Sequence, residues 1–215
     1  MKISLDCEFT ELSKRGELIS IGLVAENGEK FYAEFIDFPY YTIENNQWIW
    51  LLDNVICNLE FVDLRLVKKY WDSIREDNYN VLETEEVFIN NTESYKMLGT
   101  KLTIKNRLKE WLSRFDYVEI IADCGHYDFV FFIDLFGNAF DLPSNVSPTY
   151  IELNNLIAKK YFISEIEAFN FDRKKAIESS YMNLYYGKQH NSLADAINQL
   201  TLYNIIVNNN YFERV

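Results

Sequence analysis

The chain begins with Met1-Lys2-Ile3-Ser4-Leu5-Asp6-Cys7-Glu8-Phe9, in which apolar and polar side chains alternate as in a half-buried β-strand. In such a strand the odd-numbered residues from position 3 to position 9 share an apolar face, while Asp6 and Glu8 share the other. Two residues of strand rise separate these two carboxylates by about 7 Å along one side of the sheet. This spacing suits a pair of divalent cations.

A strand with a solvated polar face is the alternative interpretation of this stretch. Its apolar residues favour a central strand, however, and the only basic residue on the acidic face is Lys2, at the strand's start. Two carboxylates on a central strand are unfavourable unless a metal ion or water neutralises them. The stretch therefore predicts metal binding, provided that the rest of the chain supplies matching ligands.

Length and composition predict one folded domain over residues 1–215. A chain of 215 residues can bury one α/β core but is short for two, and 48% of its residues are hydrophobic. The N-terminus lacks the pattern of a signal peptide, and the most apolar stretch, 130–136, is far too short to span a bilayer. The three cysteines lie far apart without CxxC spacing. We therefore expect a cytoplasmic protein that does not bind membranes.

The formal net charge of −12 restricts the kind of nucleic acid that the chain can bind. Proteins that track long nucleic acids carry broad basic surfaces, and two divalent cations, adding four positive charges, would still leave this chain at −8. If the ligand is nucleic acid, the charge therefore favours a chain end or a short oligonucleotide with few phosphate contacts.

Periodicity predicts alternating strands and helices. Strands are expected at 1–9, 18–25, 30–36, 117–122 and 148–153, with an Asn27-Gly28 hairpin after the second. Helical spacing is expected over 43–70, 102–115, 128–136, 154–161 and 192–207. The polar stretch 72–100 is predicted to be a surface insertion with a short strand or hairpin near 87–89, and 164–187 has no clear pattern.

Two further carboxylates complete a candidate site. Asp128 follows a buried strand at the start of a helix, where it could also act as an N-cap. Asp195 follows His190 by five positions, and Ser192 is predicted to cap the last helix. Asp195 in the first turn would also complement the helix dipole. The face of the helix that carries Asp195 becomes apolar further along, however, so we expect Asp195 to face the protein interior.

The ordered set of a D-x-E strand, a later Asp and a late H-x4-D resembles the DEDDh branch of the DEDD exonucleases. This superfamily includes ribonuclease T, oligoribonuclease and proofreading exonuclease domains, and the likeness is greatest to small stand-alone 3′-5′ exoribonuclease-like domains. It is carried by 6–9, 18–22, 127–130 and 190–196. Asn at position 191, where the other branch has Tyr, indicates the histidine type. The middle motif is looser, and Asp123 is an alternative to Asp128.

The resemblance implies an α/β, ribonuclease H-like fold with a mixed five-stranded sheet flanked by helices. It implies that Asp6, Glu8, Asp128 and Asp195 bind two divalent cations, Mg²⁺ or Mn²⁺, and that His190 is the general base. Carboxylate oxygens suit these hard ions, and a histidine with a reference pKa of about 6.5 can take a proton from water. The implied partner is the 3′ end of single-stranded RNA or a short oligonucleotide, and a homodimer is also consistent with the family.

Two substrate contacts and the function itself leave alternatives. Phe9 can stack on a terminal base or belong to the core, and Lys188 is placed to reach a phosphate. Single-stranded DNA is an alternative substrate to RNA, because recognition of the 2′-hydroxyl depends on pocket geometry. A catalytically idle domain that binds nucleic acid or protein, and an unrelated acidic interaction protein, are the alternative functions.

Overall fold

The first strand lies in the middle of a mixed sheet. In this computed structural model, residues 1–13, 15–39, 43, 45–75, 89–91, 94–179 and 189–208 are described. The strands within these ranges are β1 (Lys2–Phe9), β2 (Leu18–Ala25), β3 (Lys30–Phe35), β4 (Ile89–Asn91), β5 (Ser94–Gly99), β6 (Val118–Ala122) and β7 (Val146–Glu152). Their order across the sheet is β4-β5-β3-β2-β1-β6-β7.

Helices flank this sheet. They are α1 (Asn45–Asn54), α2 (Leu64–Arg75), α3 (Lys101–Leu112), α4 (Asp128–Phe136), α5 (Leu153–Tyr161), α6 (Glu165–Phe169), α7 (Arg173–Glu178) and α8 (Ser192–Asn208), with a 3₁₀ turn at Ile56–Asn58. None of the helices in the described ranges is both long and apolar enough to cross a bilayer.

The predicted α/β, ribonuclease H-like class is confirmed, but the sheet has seven described strands where five were expected. The five expected strands form the block β3-β2-β1-β6-β7, in which β1 is antiparallel to β2 and parallel to β6. The two additional strands extend the edge beside β3, with which β5 pairs in parallel. Polar neighbours conceal β5 in the sequence, although its Met97 and Leu98 are buried.

The predicted insertion 72–100 falls partly outside the described residues. Its first residues belong to α2 and its last to β4 and β5, while 76–88 and 92–93 are not described. The strand predicted near 87–89 is represented only by Ile89, the first residue of β4. Whether the remainder is a surface insertion stays a prediction.

The helical stretch predicted over 43–70 is interrupted. Helices α1 and α2 are separated by a turn and an extended segment whose backbone N–H groups at positions 60 to 62 donate to the Glu34 carboxylate. Glu34 is completely buried in β3 and also accepts the Tyr32 hydroxyl hydrogen bond at 2.6 Å. A buried carboxylate needs such hydrogen-bond donors. Because the N–H groups of residues 60–62 donate to Glu34, these residues do not continue the helix.

The two faces of the sheet have separate cores. The apolar face of β1, including Ile3 and Leu5, packs in one cluster with residues of α3 and the phenylalanine-rich α4. The opposite face, which carries Asp6 and Glu8, is covered by α8, whose Leu193, Ala196 and Leu200 pack with Val24 and Ile121. The alternation of β1 therefore directs its carboxylates toward the last helix of the chain.

Candidate active site

Carboxylates from the two ends of the described chain converge over β1. One ligand oxygen from each of Asp6, Glu8 and Asp195 lies within 4.8 Å of the others. Asp6 and Glu8 come from alternate positions of β1, and Asp195 comes from the first turn of α8. Oxygen ligands gathered at this spacing suit Mg²⁺ or Mn²⁺, so the residues fit the ions that the resemblance implies.

These carboxylates lie in a cavity of about 580 Å³, a volume in the range of small-ligand sites. Five of its lining residues are acidic, and the wall also carries one arginine, one histidine and three aromatic residues. The lining residues are Asp6, Cys7, Glu8, Phe9, Asp123, Cys124, Tyr127, Asp128, Phe169, Arg173, Ile177, Gln189, His190, Asp195, Asn198, Gln199 and Leu202.

Asp128 is held against β1. It is the first residue of α4 and is buried, and its Oδ1 accepts a hydrogen bond from the Cys7 backbone N–H at 2.9 Å. The N-cap of α4 is Tyr127, which makes no side-chain capping bond, so the alternative interpretation of Asp128 as an N-cap is wrong. Its carboxylate is instead fixed beside the strand that carries Asp6 and Glu8.

Asp123, the alternative to Asp128, is engaged by Arg173. The guanidinium Nη2 of Arg173 donates to Asp123 Oδ1 at 2.9 Å, and its Nε contacts the other carboxylate oxygen. Asn154 Nδ2 also donates to Asp123 Oδ1, at 3.3 Å. Because Asp123 already has a cationic partner, this geometry favours Asp128 as the additional metal ligand.

The docking of α8 depends on a glycine in β2. Gly22 lies opposite Asp6 in the β1–β2 ladder, and a Cβ built on Gly22 would lie 2.3 Å from the Ser192 carbonyl oxygen. Beside it, the buried hydroxyls of Ser20 and Ser192 lie 2.9 Å apart and form a hydrogen bond. The absent side chain therefore allows the first turn of α8 to sit directly over β1 and β2, which brings Asp195 to the site.

Two amides of α8 orient the carboxylates, and sequence reasoning missed both. Gln199 Nε2 donates to Asp6 Oδ1 at 2.7 Å, while the Ser4 hydroxyl donates to Gln199 Oε1 at 3.3 Å. Asn198 Nδ2 donates to Asp195 Oδ1 at 3.4 Å. The available signal was helical spacing, because Gln199 lies four positions after Asp195 and hence on the same face.

His190 lines the cavity from the loop before α8. Its backbone has a left-handed φ of 57°, and its ring packs edge-on against Trp50 with centroids 5.3 Å apart. Asn191, not the predicted Ser192, caps the helix, because its Oδ1 accepts the Ala194 N–H at 3.1 Å. The Asn191 side chain also donates to the Asn58 carbonyl at 2.9 Å, which anchors the histidine loop.

The two predicted substrate contacts have different outcomes. Phe9 lines the cavity and stacks on Phe131 with centroids 4.6 Å apart, and it packs at 6.4 Å from Tyr127. It therefore belongs both to the edge of the core and to the cavity wall. Lys188 lies outside the described residues.

Burial raises the pKa of the clustered carboxyl groups. The pKa of Asp6 is raised well above its ordinary value by burial and then by the charges of Asp128 and Asp195. Burial, reinforced by the same two neighbours, raises the pKa of Glu8 to about 8. Burial also raises the pKa of Asp128 to about 7 and that of Asp195 to about 6, with backbone hydrogen bonds opposing the shift. A divalent cation would relieve this repulsion.

The fold is similar to those of known nucleases. No protein-family model and no curated protein matches the chain. The structure of cell-death related nuclease 4 matches with a TM-score of 0.54 and 13% identity over 96% of this chain, which spans 63% of that one.

Two further structures give similar values. A 3′-exonuclease solved for its 3′-end-specific recognition of a histone mRNA stem-loop has a TM-score of 0.53 and 11% identity, covering 95% of this chain and 80% of that one. The nuclease domain of 3′hExo, a DEDDh family member bound to rAMP, has a TM-score of 0.53 and 13% identity, covering 95% and 90%. The resemblance to DEDDh exonucleases is thus confirmed for the fold.

Proposed function

We propose that this chain is a metal-dependent 3′-5′ exonuclease that removes nucleotides from the 3′ end of RNA or short oligoribonucleotides. The observation that carries the proposal is the convergence of Asp6, Glu8 and Asp195 within 4.8 Å in a cavity that also holds Asp128 and His190. All five residues of the sequence motif line one cavity, although they come from β1, α4 and the start of α8. The nuclease fold supports the same activity.

The four carboxylates are the proposed ligands for two Mg²⁺ or Mn²⁺ ions. When bound, such a pair of ions activates the attacking water and stabilises the leaving 3′-oxygen. The chain's own contribution is to fix the ligands: Gln199 holds Asp6, the Cys7 N–H holds Asp128 and Asn198 holds Asp195. Oriented ligands of this kind commonly depend on such outer hydrogen bonds for their affinity.

His190 is the proposed general base. It lies at the cavity wall on a loop anchored through Asn191, where its imidazole can accept the proton of the attacking water. The edge-on contact with Trp50 restricts the orientation of the ring. No covalent intermediate is needed, because water attacks the phosphorus directly.

The proposed substrate is single-stranded and short. The net charge of −12 and the acidic cavity disfavour long tracts of phosphate contacts, so binding would be concentrated at one chain end. The preference for ribose rests on the family resemblance, and a homodimer and a cytoplasmic location stay predictions. The alternatives are hydrolysis of single-stranded DNA and an idle domain that binds without cutting.

The test is degradation of 5′-end-labelled single-stranded RNA and DNA of matched sequence, each with Mg²⁺, Mn²⁺ or EDTA. We expect a metal-dependent ladder that shortens from the 3′ end, faster for RNA, and its loss in Asp6→Ala. The exposed Asp116→Ala is the matched control and should cut normally. If either polymer binds but neither is cleaved with Mg²⁺ or with Mn²⁺, the proposal is contradicted and the idle domain is favoured.

A further inference from the structure

We propose that Phe169 is a stacking platform for a base of the single-stranded substrate upstream of the scissile phosphate. This inference deepens the proposed function and rests on it. Phe169 is the last residue of α6, and it lines the cavity that holds the metal-binding carboxylates. Its side chain is nevertheless 61% exposed, so much of the ring is free to contact a ligand.

Arg173 holds this part of the chain in place. Its Nη1 donates to the carbonyl oxygens of Phe169 at 3.1 Å and Phe171 at 2.9 Å. Its Nη2 donates to Asp123, in the loop that leads to Asp128, and to Asn154 at 2.8 Å. One half-buried guanidinium therefore ties the end of α6 to the loop before α4, so the ring is presented from a fixed backbone.

Helix α6 presents a second exposed apolar side chain. Ile166, three residues before Phe169 in this helix, is 76% exposed. An isolated exposed apolar residue needs no explanation, but two on one short helix that ends at the cavity wall favour a binding role.

The charge along this surface favours a nucleic acid over an apolar protein partner. The segment 159–175 contains five basic and three acidic residues, a local charge of +2 within a chain of −12. The cavity wall, in contrast, carries five carboxylates. A polyanion whose end enters the cavity is therefore repelled less by segment 159–175 than by the cavity wall.

Aromatic rings beside basic side chains form the usual binding surface for single-stranded nucleic acids. Each base can stack on an aromatic face whatever its identity, while nearby cations follow the backbone. Phe9 is partly covered by Phe131, so Phe169 is the more exposed of the two phenylalanine rings in the cavity wall. It is therefore suited to a base that has not yet entered the catalytic position.

The test compares substrates with one base and with several. The p-nitrophenyl ester of uridine 5′-monophosphate presents one base at the cleaved phosphate, whereas heptauridylate also presents upstream bases. We expect Phe169→Ala to lower kcat/KM for heptauridylate about tenfold and to leave that for the ester within about twofold. In the inactive Asp6→Asn background, the Kd of fluorescein-labelled heptauridylate should rise by the same factor.

Three further variants separate stacking from other roles. Phe169→Trp should restore binding, while Phe169→Leu, which is apolar but lacks an aromatic face, should not. Phe140→Ala, an exposed phenylalanine outside the cavity wall and outside segment 159–175, is the matched control and should affect binding less than twofold.

The outcomes distinguish this inference from the proposed function. Hydrolysis of both substrates with equal losses in Phe169→Ala, or a leucine variant that binds like the parent, would overturn the stacking role and leave the exonuclease intact. Failure of the parent protein to hydrolyse either substrate would overturn the exonuclease. A tenfold loss of heptauridylate binding in Phe169→Ala and Phe169→Leu, but not in Phe169→Trp or the control variant, would support the platform.

Discussion

Gln199 Nε2 donates to Asp6 Oδ1 at 2.7 Å and so joins the last helix to the first strand across 193 residues of sequence. The glutamine is buried, and its own oxygen is fixed by the Ser4 hydroxyl. Asp6 therefore has one oxygen held by an amide while its carboxyl group remains part of the cluster with Glu8 and Asp195. The hydrogen bond sets the direction in which Asp6 can present a ligand atom.

Replacing Gln199 by Leu should weaken the binding of divalent cations. Removal of an outer-shell partner commonly lowers metal affinity or activity about 10- to 100-fold. We expect the Mn²⁺ concentration needed for half-maximal hydrolysis to rise by this amount in Gln199→Leu. Asn204→Ala lies on the same helix but outside the cavity wall, and it should leave that concentration unchanged. Unaltered Mn²⁺ dependence in Gln199→Leu would show that Asp6 needs no such support.

A side chain at position 22 should displace α8. The Cβ of Gly22→Ala would lie 2.3 Å from the Ser192 carbonyl oxygen, and backbone atoms of a packed helix cannot move away without shifting the helix. Overpacking of this kind typically destabilises by about 1–3 kcal/mol, and the shift would also move Asp195. We expect a lower urea midpoint together with loss of hydrolysis.

Gly99→Ala provides the control for that substitution. The atom nearest to a Cβ at position 99 lies 3.5 Å away, an ordinary contact, so its stability should stay close to that of the parent. Equal stability and activity of the two alanine variants would mean that α8 is not seated on β2 as closely as described.

Breaking the Arg173–Asp123 ion pair should increase the negative potential at the metal-binding carboxylates. Asp123 already contributes to the raised pKa of Asp6, and Arg173→Ala would leave its charge without this cation. We expect weaker activity and an altered metal requirement in Arg173→Ala, with the metal requirement restored by the double variant Arg173→Ala/Asp123→Asn. Lys109→Ala, an exposed cation of α3 outside the cavity wall, should behave like the parent. A double variant no better than the single one would assign Arg173 a purely structural role.

Metal ions should stabilise the protein more at pH 8 than at pH 5.5. The pKa of Glu8 is about 8 in the folded chain, against an ordinary value of 4.5, so between these values the folded state binds more protons than the unfolded state. Stability without metal should therefore fall as pH rises through this window. At pH 8 the cluster is more fully ionised and binds cations, whereas protonation competes with binding at pH 5.5.

The measurement is thermal unfolding with and without Mg²⁺ at the two pH values. An ion present at a hundredfold excess over its Kd stabilises by about 2.7 kcal/mol, which corresponds to a rise in Tm of about 5–10 °C for a chain of this size. Glu8→Gln should be more stable than the parent in EDTA and should respond less to Mg²⁺. A larger Mg²⁺ effect at pH 5.5 than at pH 8 would contradict the assignment of these carboxylates as ligands.

The sequence predicted the parts of the fold that repeat a local pattern. The alternation of β1 and the stripe of α8 indicated which faces Asp6 and Asp195 occupy, and the five-stranded block followed from similar patterns. It did not predict the break between α1 and α2, because that break depends on the buried Glu34, which is distant in sequence. Strand β5 was missed because its two buried apolar residues, Met97 and Leu98, are consecutive and follow a polar stretch, so no alternation marks the strand.

The sequence predicted the carboxylates of the candidate site but not the residues that hold them in place. Asp6, Glu8 and Asp195 occur in compact motifs, but the hydrogen bond from Gln199 and the close approach at Gly22 exist only once the chain ends meet. The choice between Asp123 and Asp128 likewise needed a third residue, Arg173, from the stretch 164–187 that showed no pattern.

The most direct test of the central claim is hydrolysis of 5′-labelled single-stranded RNA by the parent protein, Asp195→Asn and Asp134→Asn, each with Mn²⁺. Asp195 is supplied by α8 and meets β1 only in the folded structure, while Asp134 is an exposed carboxylate of α4. We predict a ladder shortening from the 3′ end for the parent and Asp134→Asn, and intact RNA for Asp195→Asn. Equal degradation by Asp195→Asn would contradict the account, because the carboxylate cluster would then not be the site of hydrolysis.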